Sequence, residues 1–384
     1  MSKSAGSGKP GILWGAIALG IFWVCVYLSY ANAELPGFED LLRLVPVFLV
    51  LMIGLAVFSL IDRNKDDVRA AIACGQFQQA ESELKKRLPR LKRNAAGTEE
   101  HVQDLIALAK ICHAGGRLDE ADSIAREAVN YAEHGTQLMQ ASLDRGTRGG
   151  ARIYREVSQS SLRSCLLLEI ESAGVLGEIL LDKGRCQEAL DVIDAGLYKM
   201  RVFYAIEATQ MVSAYSYGSK LLKLAARIYA INGDEDKVQL ALSEASGFDQ
   251  KGLEAAQSLA GMKPASPEPL ILGAEFYISL EKHDRAIEEL SRALELKPEK
   301  MHVYTIHLKR ADCYSRLKDL DNAMTEVEAV LDMVPDSPLA LVRRADVFEK
   351  LDKKDRALVD RQTAESLGVK ADYIKLGIDG DSKQ

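Results

Sequence analysis

The residues of this 384-residue chain that could do chemistry are six histidines, six cysteines and a few charged groups that share helical faces. None of them forms a catalytic set. The histidines (His101, His113, His134, His283, His302, His307) give no H-E-x-x-H, and His302 and His307 are five residues apart, off any common helical face. The cysteines (Cys25, Cys74, Cys112, Cys165, Cys186, Cys313) are scattered without a C-x-x-C pair, which argues for free thiols rather than a zinc ribbon or a disulfide framework. No G-x-S-x-G, G-x-G-x-x-G or phosphate-loop signature occurs. No metal, cofactor or catalytic residue is therefore expected. What remains is charge on helix faces. Lys220, Lys223 and Arg227 stand at i, i+3 and i+7, so they share one face of a helix. Arg145, Arg148, Arg152 and Arg155 could hold an anion or a lipid headgroup, but the arrhythmic stretch at or beside which they fall, His134 to Arg152, reads as a solvated loop. A net charge of −7 argues against bulk binding of nucleic acid, and 47% hydrophobic with 27% charged residues is the composition of a folded protein.

The elements that must position these groups are clearest at Pro267 to Lys300. Leu270, Ala274, Tyr277, Ala286, Leu290 and Ala293 fall at the spacing of two helices joined by a polar turn, with Pro298 ending the second. Small Ala274 and Ala286 let the helices approach, and Tyr277 fills the space between them. Spacing and residue types resemble the tetratricopeptide repeat (TPR), a helical hairpin that must stack on copies of itself to bury its apolar face. The copies are present. Ala311, Tyr314, Ala323 and Pro335 follow at 37 residues, and Ala345, Phe348 and Ala357 at 34 after those. Upstream, Leu105, Leu108, Ala109, Ala121, Ala125 and Ala128 repeat the pattern, as do Leu176, Gly177, Leu180, Ala189 and Ile193, then Leu222, Ala225, Ala226, Tyr229, Val238, Leu242 and Ala245. A degenerate first unit spans Arg69 to Leu88. Ala189 and Val238 are 49 residues apart instead of about 34, so lengthened helices with a soft break near Ser216 to Ser219 are expected there.

The resemblance implies that the first helices of the pairs make a concave, partner-binding face. Projected from the reference repeat, that face carries Lys220, Lys223 and Arg227 in one section and Glu268, Glu275, Asp312 and Asp346 in another. Such a groove would orient an extended peptide or helix of opposite polarity. TPR domains that hold a chaperone's C-terminal carboxylate use an asparagine where this chain has Glu275, Asp312 and Asp346, so a carboxylate clamp is not expected.

Two apolar runs precede the array. Gly11 to Ala31 is 21 residues without a charge, and Leu44 to Ile61 is 18, each long enough to span a bilayer. The connector carries Glu34, Glu39 and Asp40, whereas Lys3 and Lys9 precede the first run and Arg63, Lys65 and Arg69 follow the second. The positive-inside rule then puts both termini in the cytoplasm, Arg43 being the one residue that dilutes the contrast. A signal peptide ending at Ala31-Asn32-Ala33 is the rival reading, and the apolar run is long for one. Gly11, Gly15, Ala16 and Gly20 allow close helix approach, either between the two spans or in a dimer.

The expected fold is all-α: a cytoplasmic tail over residues 1–10, a transmembrane hairpin over 11–61, a TPR-like right-handed α-solenoid over 62–367, and a capping helix with a polar tail over 368–384. Two spans followed by TPR units resemble the layout of HemY-type bacterial inner-membrane proteins. The expected function is a membrane-anchored, non-enzymatic scaffold that binds protein partners through the concave face, with lipid around its two helices and a bacterial inner membrane as the setting. The alternative is a structural subunit of a membrane complex, held by its spans.

Overall fold

Two compact units divide the chain at Arg69. A computed structural model describes Val68 of the first and, of the second, residues 71–72, 76–91, 98–146, 152–203 and 211–370. The tail, both apolar runs and the small residues Gly11, Gly15, Ala16 and Gly20 lie outside the described residues. So do 371–384 of the expected cap, while 368–370 are non-helical. Among the described residues no helix is long and apolar enough to cross a membrane.

The second unit is all-α, with thirteen helices and no strand among the described residues: α1 (Phe77–Leu91), α2 (Thr98–Ala114), α3 (Leu118–Gly146), α4 (Arg152–Asp182), α5 (Cys186–Phe203), α6 (Met211–Ile231), α7 (Glu235–Met262), α8 (Glu268–Ser279), α9 (His283–Glu295), α10 (Lys300–Arg316), α11 (Leu320–Met333), α12 (Pro338–Lys350) and α13 (Lys354–Ser366). Each helix packs on the next, and α2 also meets α4, α4 meets α6, and α10 meets α12. This is an array of helical hairpins whose first members line one face.

One local device builds every hairpin. After each first helix comes a left-handed residue: Gly116, Gly184 and Gly233 in the first half, Glu281, Lys318 and Asp352 in the second. The next residue's N–H reaches back five positions, as Arg117 does to Cys112 and Lys282 to Tyr277, both bonds under 3.0 Å. That closes the helix end and reverses the chain. The second helix then buries a stripe at i, i+4 and i+7, as in Ala286, Leu290 and Ala293, or Ala323, Val327 and Val330.

Four expectations are corrected. The stretch from His134 to Gly146 is helical, because Met139 and Leu143, one turn apart, pack on Leu162, Leu166 and Ala214. Burial there outweighs the roughly 1 kcal/mol handicap of a helical glycine such as Gly135. Second, α6 passes through Ser216 to Ser219 without a break, since Gly218 leaves the space that the Met200 sulfur occupies. The lengthening itself is real, with 18 residues in α5 and 21 in α6. Third, Leu242 is exposed. Val238 and Ala245 are buried as expected, and the stripe they belong to runs through Ala241, Asp249, Gly252 and Ala256. Fourth, Gly261 to Pro269, GMKPASPEP, reads from the sequence as a linker or turn, yet α7 runs on to Met262 and α8 begins at Glu268.

Candidate partner-binding face

The first helices carry most of the charged residues singled out from the sequence, and their pairing follows from the repeat. Glu275 on α8 meets Lys309 on α10 at 2.9 Å. Asp312 on α10 accepts two bonds of 3.1 Å from Arg343 on α12. Asp346 on α12 accepts from Arg361 on α13 at 3.1 Å. Each of these three acids is thus answered by a cation of a later helix. Upstream, Lys110 on α2 reaches Glu171 on α4 at 2.6 Å. The expected division into one basic and one acidic section is replaced by interleaved charge. The sequence reading missed Lys110, Glu171, Glu178, Lys309, Arg343 and Arg361. The offsets of 34 residues from Glu275 to Lys309 and 31 from Asp312 to Arg343 are the signal that could have found the downstream pairs.

The basic triplet on α6 separates into two roles. Lys223 turns aside to a buried cluster: its Nζ lies 3.1 Å from Asp249 on α7 and donates to the Ser279 hydroxyl and carbonyl on α8, and that hydroxyl also donates to Asp249. Asp249 is 2% exposed, so Lys223 is its counter-ion. Lys220 and Arg227 have no carboxylate within ion-pairing distance among the described residues. Lys220 is exposed, its Nζ 5.9 Å from the centroid of the Tyr217 ring. Glu268, in the first turn of α8, is exposed.

Burial is the largest single influence on the carboxyls around α6, and it works against their ionised form. It works to raise Glu171, and Lys110, Tyr217 and Lys220 outweigh it, leaving that carboxyl lowered. It works to raise Glu275, where Lys309 and Lys220 prevail. At Glu178 burial wins over the pull of His113, Lys110, Lys220 and Arg227, and the carboxyl holds its proton to higher pH than usual. Burial likewise pushes the Tyr217 phenol well above its ordinary value. Lys220 and Arg227 therefore share one patch with a carboxyl that resists ionising.

The described cysteines Cys112, Cys165, Cys186 and Cys313 are free. Burial pushes Cys112 and Cys165 up to about 11 and Cys313 to about 12, which keeps these thiols protonated and inert. Glu81, Cys112 and Glu120 bring potential ligand atoms within 4.8 Å of one another. Arg117 already binds Glu81 through two nitrogens at 2.8 and 2.7 Å, and Lys85 joins Glu81 to Glu120. This is an ion-pair cluster beside a neutral thiol.

A family model for the tetratricopeptide repeat matches residues 271–300, within the α8–α9 hairpin and the turn after it. Among solved structures the chain is similar to YrrB, described as a TPR protein with an unusual peptide-binding site, at 17% identity over 51% of this chain and 84% of that one, with a TM-score of 0.27. It is similar to BtubC from P. vanneervenii at 15% identity, 66% and 95% coverage and a TM-score of 0.33. A nuclear import adaptor of S. pombe follows at 13% identity, 74% and 98% coverage and a TM-score of 0.38. The class that the fold and the family model define is an all-α array of TPR-like hairpins.

Proposed function

We propose that this protein is a non-enzymatic scaffold, anchored in a bacterial inner membrane by Gly11 to Ala31 and Leu44 to Ile61, that holds a protein partner against the interior face of its cytoplasmic array. The observation that carries the reading is the contrast on that face. Glu275, Asp312 and Asp346 form direct ion pairs with Lys309, Arg343 and Arg361, whereas Lys220 acts on Glu171, Glu178 and Glu275, and Arg227 on Glu178, only at longer range, and neither forms a direct ion pair among the described residues. Seven residues of helix set their backbones about 10 Å apart. Carboxylates three residues apart on an extended segment match that interval. Two such contacts desolvated inside the array would give orientation and specificity more than raw affinity. Anchoring raises the local concentration of the partner, so modest affinity suffices.

The test is a pull-down with the full chain in mild detergent beside the fragment Asp66 to Gln384. Recovery of the same partner by both supports a binding array. A partner recovered only by the full chain transfers the interaction to the spans and makes the protein a structural subunit of a membrane complex.

A further inference from the structure

The end of the array returns to its beginning. Helix α13 ends at Ser366, and Gly368, with a φ of +90°, lets the Val369 N–H bond back to the Ala364 carbonyl at 3.1 Å. That reversal puts Val369, 0% exposed, into a cluster with Leu341, Val342 and Ala364, against which Phe77 of α1 packs. The Lys370 N–H then donates to the Ala114 carbonyl at the end of α2, 3.0 Å away. Gly116 has no Cβ to obstruct the Lys370 side chain, which would lie 2.8 Å from one. The carbonyl oxygen of Gly368 sits over Gly115, and Gly368 itself lies beside Gln78.

This seam differs in kind from every other boundary in the array. Successive helices pack along their lengths. The seam is a four-residue segment, Leu367 to Lys370, held to α1 and the α2–α3 turn by the Phe77 ring, the buried Val369, one backbone hydrogen bond to Ala114 and close contacts with Gln78, Gly115 and Gly116. Contacts made by so short a segment can open without unfolding their neighbours.

We propose that Leu367 to Lys370, with α1 and the α2–α3 turn, form a releasable clasp, and that its release admits a partner segment to the interior face. The inference rests on that face being the binding surface. Its test uses no partner, so the two readings fail separately.

The full chain carries genetically encoded spin labels at Ser82 on α1 and Gln362 on α13, both exposed. The clasp is broken from either side, by Val369→Asp or by Phe77→Ala. The native chain gives one narrow distance between the labels, and each variant adds a longer, broad population while circular dichroism shows unchanged helix content. On the same backgrounds, Lys220→Cys reports access. Its reactivity toward a PEG-coupled maleimide, relative to N-ethylmaleimide, rises about tenfold or more, the scale of losing one buried aliphatic side chain. A single unchanged distance in both variants overturns the clasp. Helix loss in both also overturns it, since the seam is then part of the folding core. Opening without a change in the reactivity ratio overturns control of access.

Discussion

Replacing Lys223 by methionine leaves Asp249 without its cation at a site 2% exposed to solvent. Breaking a buried ion pair costs about 3–5 kcal/mol. Two features of the site place this case at the lower end. The Ser279 hydroxyl continues to donate to Asp249, and the Lys223 side chain is itself 27% exposed, so water partly compensates. The expected loss is about 3 kcal/mol. Adding Asp249→Asn removes the orphaned charge and should return all but about 1 kcal/mol, the net worth of a hydrogen bond. Lys220→Met, on the same helix face and exposed, loses only longer-range attraction to Glu171, Glu178 and Glu275 and should cost no more than about 1 kcal/mol. Urea unfolding followed by far-UV circular dichroism reads the differences, with midpoint shifts at constant slope taken as stability. A Lys223→Met loss no larger than that of Lys220→Met refutes the assignment of Lys223 to structure. So does a double variant that simply adds the two single losses.

Two further perturbations address packing and charge. A methyl group at Gly252 would lie 2.2 Å from Phe276, a buried ring between α7 and α8; Gly252→Ala should cost about 1–3 kcal/mol by the same urea assay. Because Glu178 holds its proton to higher pH in the folded chain, its ionisation lowers stability as pH rises through that range. Glu178→Gln should therefore raise the urea midpoint at neutral pH, with the gain fading toward about pH 4, where the unfolded carboxyl is protonated as well.

The sequence was most informative where one repeat could be recognised by itself. Ala274, Ala286, Leu290 and Ala293 are buried, and their counterparts at 34 to 37 residues mark the hairpins downstream. It failed where distant contacts override local signals. Gly135 and Thr136 suggest a loop, yet Met139 and Leu143 hold that segment in α3 by packing on α4 and α6. Gly218 suggests a break and instead makes room for Met200. The shared face of Lys220, Lys223 and Arg227 was legible from helical spacing alone. Their different roles were not, since Asp249 and Ser279 come from other helices. The clasp was equally hidden, because Phe77 and Val369 are neighbours only once all the intervening hairpins have set their curvature.

The central claim is that α6 holds the partner through Lys220 and Arg227, apart from the structural Lys223. It is tested most directly by Lys220→Glu combined with Arg227→Glu in the full chain, with partner recovery and the urea midpoint measured together. The account predicts loss of the partner with helix content retained, and near-native recovery when Arg316, an exposed residue at the end of α10, is reversed instead. Undiminished recovery by the α6 variant, from a chain that remains folded, contradicts it.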